Sequence, residues 1–193
     1  MKQKAVFLDK DGTLIKDIPF NVNPQLITLS GNCVEGLKHL QEAGYLLVIV
    51  SNQAGVAYGY FTEAELLPVK TKLCELLMKH GINLSGFYYC PHHPEGITEK
   101  YTSVCKCRKP APGLLFKAAK ELNIDLSRSW MIGDILNDVE AGERAGCRTI
   151  LIDNGNETEW LLNAYRIPEK QCATINQAAT YLLSTHEQKL ERI

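Results

Sequence analysis

The sequence contains no long apolar run and no excess of charge of one sign. No stretch approaches the roughly 18 consecutive apolar residues that a membrane-spanning helix needs, so we expect no contact with a membrane. Lysine and arginine number 21 and aspartate and glutamate 22 among 193 residues, which gives a formal net charge of −1. This net charge argues against non-specific nucleic-acid binding through a strongly basic surface. We expect a monomer with a small-molecule partner.

The sequence also lacks a secretion signal and an even set of cysteines. The first apolar run, 5–8, is too short for a signal peptide, and no cleavage site follows it. The seven cysteines are an odd number, and a reducing compartment disfavours structural disulfides. We therefore expect a cytoplasmic protein without structural disulfides.

Short apolar runs alternate with amphipathic stretches along the chain. The runs predicted as strands are 5–8, 45–50, 86–90, 130–132, 149–152 and 172–175. Helical spacing of apolar residues predicts helices near 34–43, 62–77, 112–122 and 137–145. This alternation predicts an α/β fold, a doubly wound parallel sheet with helices on both faces. The length suits a single domain, 1–193.

Some segments depart from this alternation. Loops as long as 15–31 and 91–109 are usually functional when they occur inside a compact domain. Beyond residue 154, apolar residues predict a packing helix around 161–165, followed by the last strand and a closing helix. The highly charged end, 186–193, is expected to fray.

Two aspartates directly follow the first predicted strand. In an open parallel sheet ligands bind beyond the carboxyl ends of the strands, so Asp9 and Asp11 lie where chemistry is expected. Neighbouring carboxylates repel one another in a partly desolvated site, and a divalent cation relieves that repulsion. Taken alone, the segment is also compatible with an ordinary turn at Gly12.

Polar residues also follow the second strand and precede the third helix. The Ser51 hydroxyl and the backbone amides after it can cradle a phosphoryl oxygen. The neighbouring cations Arg108 and Lys109 can hold a phosphoryl group and a remote anionic or hydroxylated group of a substrate. In isolation, the first segment is more typical of a polar loop or helix cap, and a basic pair such as the second usually belongs to the solvated surface.

A third aspartate, Asp134, follows the fourth predicted strand. Its carboxylate can ligate a hard cation through oxygen, while Asn137 or Asp138 holds it from behind. A helix cap would use the same residues. The chemical types of all these segments complement one another, because they supply a nucleophile, a hydroxyl, a cation and a metal-binding carboxylate at one edge of the sheet.

In this order the segments resemble the haloacid dehalogenase superfamily of phosphatases. The resemblance implies a HAD-like Rossmannoid fold in which Asp9 attacks phosphorus and becomes phosphorylated. It also implies that Asp11 is the general acid and base, and that Ser51 and Lys109 hold the equatorial phosphoryl oxygens. Neither long loop has the length of the cap domain that mutases of the superfamily carry. We therefore expect no large cap domain.

The same resemblance implies a catalytic magnesium ion. Its ligands would be the carboxylates of Asp9 and Asp134 and the backbone carbonyl of Asp11. The cation offsets the repulsion between the nucleophile and the phosphate dianion.

A second metal site is predicted in the loop at about 90–109. Cys90 and His92 form one close pair and Cys105 and Cys107 another, and three thiols with one imidazole suit tetrahedral Zn²⁺. Four protein ligands would close the coordination shell, so the zinc would be structural and would stabilise the inserted loop. His93 is the rival ligand to His92, and free cysteines beside an exposed histidine are the alternative to a metal.

The cysteine segments narrow the resemblance. The chain looks like the bacterial heptose-bisphosphate phosphatases in three segments, namely Cys90-Pro91-His92-His93-Pro94, 105–110 and Ser51-Asn52-Gln53. Those enzymes remove the 7-phosphate of glycero-manno-heptose 1,7-bisphosphate during the synthesis of lipopolysaccharide or glycoprotein heptose. The substrate contacts that this resemblance implies are Asp17, Phe20, Ser51, Asn52, Gln53, Ala54, Arg108 and Lys109.

Other functions stay open at this point. Histidinol-phosphate phosphatases carry a similar zinc loop, and nucleic-acid 3′-phosphatases have a similar core, although the near-zero net charge counts against the latter. A non-catalytic, zinc-stabilised binding module is the alternative from another class. It would require the loss of a chemical position, whereas Asp9, Asp11, Ser51, Lys109 and Asp134 are all present.

Overall fold

One six-stranded parallel sheet runs through the residues that the computed structural model describes, 2–190 with side chains as far as Thr185. The strands are β1 Lys4–Leu8, β2 Tyr45–Asn52, β3 Gly86–Cys90, β4 Trp130–Gly133, β5 Arg148–Ile152 and β6 Lys170–Cys172. Their order is β3-β2-β1-β4-β5-β6, and every neighbouring pair is parallel. The predicted parallel α/β sheet is confirmed.

Helices cover both faces of the sheet. They are α1 Val34–Glu42, α2 Leu66–Met78, α3 Gly113–Glu121, α4 Leu136–Ala145 and α5 Ile175–Leu190. Short 3₁₀ helices occupy Pro24–Leu26, Glu63–Glu65, Glu99–Tyr101 and Leu126–Arg128. Side chains of α1, α2 and α5 pack with Val6 and Leu8 on one face, whereas those of α3 and α4 pack with Ala5 and Phe7 on the other. Alternate residues of β1 therefore belong to two separate hydrophobic cores.

The strand order places the site. β1 lies between β2 and β4, with Leu8 opposite both Ile49 and Ile132. The connections turn in opposite directions on the two sides of β1, which opens a crevice at the carboxyl ends of β1 and β4. Asp9 and Asp134 follow these two strands directly.

Local signals at the helix ends agree with the structure. The backbone N–H of Thr62 donates to Glu65 Oε2 at 2.8 Å, which is one half of the predicted capping box before α2. Gly146 ends α4 with a left-handed φ of 81°, a conformation that glycine adopts without steric cost. Both helix boundaries therefore follow from short-range chemistry.

The prediction was wrong in two places beyond β5. The last strand is Lys170–Cys172, and Ile175 is instead the first residue of α5. No helix forms between β5 and β6 in the described chain, and Leu161 and Leu162 are exposed. Side-chain acceptors in this segment bind nearby backbone N–H groups, as Asn163 does with Tyr165 at 2.8 Å. Such local bonds compete with helix formation.

The long loops lie at the carboxyl edge of the sheet, and no separate cap domain is found among residues 2–190. Within the same residues no helix is long and apolar enough to cross a membrane. The expectation for the charged end, 186–193, lies outside the part of the chain described with side chains.

Candidate active site

Three buried carboxylates meet at the crevice between β1 and β4. Asp9 is 8% exposed, Asp134 4% and Asp138 0%, and one oxygen of each lies within 4.8 Å of the others. The backbone N–H of Asp9 donates to the carbonyl oxygen of Ile132 at 2.9 Å, which continues the β1–β4 pairing up to Asp9. The fold therefore brings Asp9 and Asp134 together, as the sequence predicts.

Burial gives these carboxylates unusual acidities. Desolvation raises the pKa of Asp9 to about 7, against the opposing charge of Lys109 and with a smaller contribution from Asp138. Desolvation, followed by the charge of Asp9, raises the pKa of Asp134 to about 6. The carboxylates are thus short of compensating positive charge, which is the electrostatic condition that a bound cation relieves.

Lys109 is the cation of this cluster. Its Nζ contacts Asp9 Oδ1, lies 2.6 Å from Asp138 Oδ1 and donates to the carbonyl oxygen of Val50 at 3.0 Å. Burial lowers the pKa of Lys109, but the two carboxylates outweigh burial and hold the pKa above its usual value. Asn52 fixes the Lys109 backbone by accepting from its N–H and donating to its carbonyl oxygen, each at 3.0 Å.

Asp11 lies beside the cluster, on the solvent side. Its side chain is 32% exposed and accepts from Lys10 Nζ at 2.6 Å. Gln53 Nε2 donates to Asp11 Oδ2 at 3.0 Å and to Ser51 Oγ at 2.7 Å. Because the Ser51 hydroxyl accepts this bond, its own hydrogen is free to be donated to another acceptor.

The turn after Asp11 requires glycine. Gly12 has a φ of 82°, and a Cβ atom at this position would overlap Asp134 Oδ2. Glycine therefore allows the backbone of the first motif to approach the third aspartate closely. Thr13 Oγ1 donates to Asp134 Oδ1 at 2.9 Å and links the same two segments.

A cavity of about 190 Å³ opens next to Asp11. Most of the predicted substrate contacts line it, namely Asp17, Phe20, Asn52, Gln53, Ala54 and Arg108. Ser51 and Lys109 do not line this cavity but lie deeper, with Lys109 against Asp9. Phe20 is held by an edge-on contact with Tyr60, with ring centroids 4.7 Å apart. Nη1 of Arg108 is buried without a hydrogen-bond partner, so this donor is available to a ligand.

The cysteine cluster forms beside the end of β3. Cys107 Sγ lies 2.9 Å from Cys90 Sγ and 3.3 Å from Cys105 Sγ. His92 Nδ1 lies 3.4 Å from Cys107 Sγ, whereas His93 faces away and pairs with the hydroxyl of Tyr58 at about 3.0 Å. The structure thus places His92 rather than its neighbour beside the thiols.

The thiols are chemically suited to a metal. The hydrogen bond from Cys90 is the largest cause of a pKa of about 5 for Cys107. The lowered pKa favours the thiolate form of Cys107, which is the form that binds metals. The pKa of Cys90 lies well above its usual range, mainly because of the hydrogen bond with Cys107 and to a lesser extent because of burial.

Several residues near the site are absent from the sequence-based prediction. Lys10 is 1% exposed and pairs with Asp11. Asn156 Nδ2 donates to Asp134 Oδ2 at 2.6 Å. The sequence also predicts that Asn137 or Asp138 supports Asp134, and here the structure differs. Asp138 forms an ion pair with Lys109 instead, and Asn137 Oδ1 accepts from Arg166 at 2.9 Å. A polar run directly after β5 was the available signal for Asn156, since β5 ends at the same edge.

Comparison with known proteins agrees with this geometry. Residues 106–178 match the HAD-hydrolase-like family model. The D-glycero-beta-D-manno-heptose-1,7-bisphosphate 7-phosphatase of Pasteurella multocida is 44% identical over 79% of this chain and 83% of its own length. The D-glycero-alpha-D-manno-heptose-1,7-bisphosphate 7-phosphatase of Photorhabdus laumondii is 35% identical over 81% of this chain and 86% of its own length.

A solved structure extends the likeness to three dimensions. The D,D-heptose 1,7-bisphosphate phosphatase of B. bronchiseptica, complexed with magnesium and phosphate, superposes with a TM-score of 0.76 and 26% identity. The match covers 94% of this chain and 99% of that one. The parallel sheet, the carboxylates at its edge and relatives well above 30% identity lead to one assignment. The chain belongs to the heptose-1,7-bisphosphate 7-phosphatase family of HAD-like hydrolases.

Proposed function

We propose that the chain hydrolyses the 7-phosphate of D-glycero-D-manno-heptose 1,7-bisphosphate through an aspartyl-phosphate on Asp9. The observation that carries the proposal is the buried contact of Asp9 with Lys109, beside Asp134 and next to a cavity that Asp11 borders. The names of the relatives support this substrate. In our proposal the reaction is a step in the synthesis of heptose precursors for lipopolysaccharide or glycoproteins.

The donor set fits Mg²⁺. Carboxylate and carbonyl oxygens are the ligands that this hard cation prefers, and Asp9 and Asp134 offer buried carboxylates with raised pKa values. In our proposal these two carboxylates and the backbone carbonyl of Asp11 hold the ion. When bound, Mg²⁺ supplies positive charge that offsets the repulsion between carboxylate and phosphate. Asp138 is committed to Lys109 and is not needed as a ligand.

The first chemical step transfers the phosphoryl group to Asp9. A carboxylate oxygen of Asp9 attacks phosphorus in line, and the bond from phosphorus to the C7 oxygen of the sugar breaks. Asp11 gives its proton to that leaving oxygen. Lys10 and Gln53 each hold one oxygen of Asp11, so the acid keeps a fixed orientation beside the cavity.

The second step releases phosphate. Asp11, now ionised, takes a proton from water, and the water oxygen attacks phosphorus as the bond to Asp9 breaks. The products are inorganic phosphate and the free Asp9 carboxylate, so atoms and charge balance over the cycle. Throughout, the Ser51 hydroxyl and the Lys109 ammonium bind the equatorial phosphoryl oxygens.

The cavity suits the remainder of the sugar. In our proposal Arg108, through its unpaired Nη1, binds the anionic or hydroxylated part that is remote from the reacting phosphate. Asp17 and Phe20 contact the sugar from the loop 15–31, and Asn52, Gln53 and Ala54 contact it from the end of β2 and the loop that follows. The relatives' names include both anomers, so we propose the heptose bisphosphate without assigning its anomer.

The cysteine cluster is proposed to hold a structural Zn²⁺. Ligand atoms about 2.3 Å from a tetrahedral zinc lie about 3.8 Å apart, and the sulfur atoms here are separated by 2.9, 3.3 and 3.5 Å. Cys90, His92, Cys105 and Cys107 would fill all four positions. Such a site has no place for a reacting water and stabilises the loop instead.

A phosphate-release assay tests the proposal. The substrates are the α and β anomers of heptose 1,7-bisphosphate, fructose 1,6-bisphosphate, histidinol phosphate and a 3′-phosphorylated oligonucleotide, each with Mg²⁺. We expect one heptose anomer to exceed every non-heptose substrate in kcat/KM by at least about 10-fold, since differential contacts to the sugar set this ratio. A higher kcat/KM for histidinol phosphate would contradict the assignment of the sugar.

A further inference from the structure

The segment after β5 reaches back to the carboxylate site through two asparagines. Asn156 Nδ2 donates to Asp134 Oδ2 at 2.6 Å, and Asn154 Nδ2 donates to the carbonyl oxygen of Gly12 at 2.7 Å. One bond holds the third aspartate and the other holds the turn that follows Asp11. We call Asn154 and Asn156 the asparagine pair.

The asparagine pair is itself anchored. Asn154 Oδ1 accepts from the backbone N–H of Asn156 at 3.1 Å, so the two residues brace one another. Next to them, Glu157 Oε2 accepts from the backbone N–H of Leu136 at 2.6 Å. This carboxylate lies at the N-terminus of α4, where the helix dipole favours negative charge. The segment therefore presents the Asn156 amide from a fixed position.

The bond to Asp134 has a consequence for metal binding. Thr13 holds Oδ1 of Asp134 and Asn156 holds Oδ2, so rotation of the carboxylate is restricted. Each carboxylate oxygen has two acceptor sites, and one hydrogen bond leaves a lone pair on each for a cation. Asn156 itself is exposed and contributes nothing to either hydrophobic core, which argues against a purely structural reason for its position.

We propose that Asn156 is a positioning residue of the magnesium site and orients the Asp134 carboxylate toward the cation. The inference rests on the proposed function, because it takes Asp134 as a magnesium ligand. Partners that hold a metal ligand from outside typically account for about 10- to 100-fold in metal affinity. Asn156 acts through Asp134 and touches neither the phosphate nor the sugar.

Direct magnesium titration tests this role without relying on turnover. The variants Asn156→Ala and Asn156→Leu both remove the amide donor, and leucine keeps the bulk of the side chain. Asn163→Ala is the matched control, since Asn163 is an exposed asparagine of the same segment whose side chain accepts from the backbone N–H of Tyr165. Calorimetry on the zinc-loaded, magnesium-free protein gives the Kd for Mg²⁺.

We expect the Kd for Mg²⁺ to rise about 10- to 100-fold in both Asn156 variants and to stay within about twofold in Asn163→Ala. At saturating Mg²⁺ the KM for the sugar phosphate should change less than about twofold, because substrate contacts are intact. An unchanged Kd in the Asn156 variants, or an equal loss in the control, would overturn the inference alone. If the unaltered chain bound no Mg²⁺, the proposed function would fall with it.

Discussion

The carboxylate site and the cysteine–histidine cluster lie at the same edge of the sheet but are assembled in opposite ways. Asp9 and Asp134 follow β1 and β4, so only the folded sheet brings them together. The four cluster residues all belong to one stretch of chain, from Cys90 to Cys107. The first site therefore depends on the whole fold, whereas the second organises a loop that has little core of its own.

Electrostatics separates the two sites as well. Burial raises the pKa of Asp9 to about 7, while hydrogen bonds lower the pKa of Cys107 to about 5. Asp9 and Asp134 lie beside Asp11, which borders a cavity, whereas the thiols and His92 have one another as partners. The carboxylate site thus keeps unbalanced charge, which is typical of sites poised for chemistry.

The two sites are nevertheless connected through the chain. Cys107 precedes Lys109 by two residues, and the backbone N–H of Arg108 donates to Cys105 Sγ at 3.3 Å. At the other end of the loop, the backbone N–H of Gln53 donates to the carbonyl oxygen of Cys90 at 2.8 Å. The cluster thus holds the loop that delivers Lys109 to Asp9.

The largest expected effect is that of Asp9→Asn on turnover. The amide is a poor nucleophile and nearly the same size as the carboxylate, so we expect kcat to fall by more than about 10³-fold with little change in folding. Phosphate release measures the loss, and circular dichroism checks the fold. The control is Asp153→Asn, since Asp153 is an exposed aspartate directly after β5. Near-native turnover in Asp9→Asn would remove Asp9 from the nucleophile role.

Cys107→Ser tests the other region and should act on stability first. Serine is not a zinc ligand of comparable strength, so we expect less than one zinc per chain and a free energy of unfolding lower by about 4 kcal/mol. Turnover should also fall, because the cluster holds the loop that carries Lys109 to its contact with Asp9. Metal analysis and thermal unfolding are the measurements, and Cys74→Ser, a half-buried cysteine outside the cluster, is the control. Full zinc content in Cys107→Ser would contradict the assignment.

The same contrast explains what the sequence could and could not predict about the fold. Apolar runs found five strands to within two residues, because strands buried on both faces need them. The edge strand β6 has the residues Lys170, Gln171 and Cys172, which carry no apolar signal. The run that was predicted instead includes Ile175, whose burial comes from α5 packing on the sheet.

At the site, the residues directly after strands were accessible to prediction. Asp9 and Asp134 directly follow strands and Ser51 lies near the carboxyl end of β2, so the parallel topology brings all three to one edge. Lys10 and Asn156 were missed because their roles rest on side-chain directions. Nothing in local spacing indicates that a lysine between two aspartates folds back onto Asp11. The polar run after β5 points to the same edge of the sheet but does not indicate which of its side chains reaches Asp134.

The histidine pair offers a finer test of the cluster. His92 faces the thiols, whereas His93 bonds Tyr58, so the two substitutions should differ. We expect His92→Ala to weaken zinc binding by about 10-fold or more and His93→Ala to retain one zinc per chain. Competition with a zinc chelator measures both affinities. Equal weakening in the two variants would show that the cluster does not discriminate between the neighbouring imidazoles.

The smallest effect is expected for Gln53→Leu, which leaves the buried carboxylates and the cysteine cluster intact but removes one restraint on Asp11. Gln53 Nε2 holds Asp11 and Ser51 together, and leucine is close in size without being a donor. General acid–base catalysis contributes about 10²- to 10⁴-fold, and losing only the orientation of the acid should lower kcat by about 10-fold. Gln25→Leu, at an exposed glutamine of the loop 15–31, is the control. Because Asp11 keeps its bond from Lys10, the acid stays present but less restrained. The loss should therefore appear in kcat more than in zinc content or stability, and a kcat equal to that of the control would show that Lys10 alone suffices to orient Asp11.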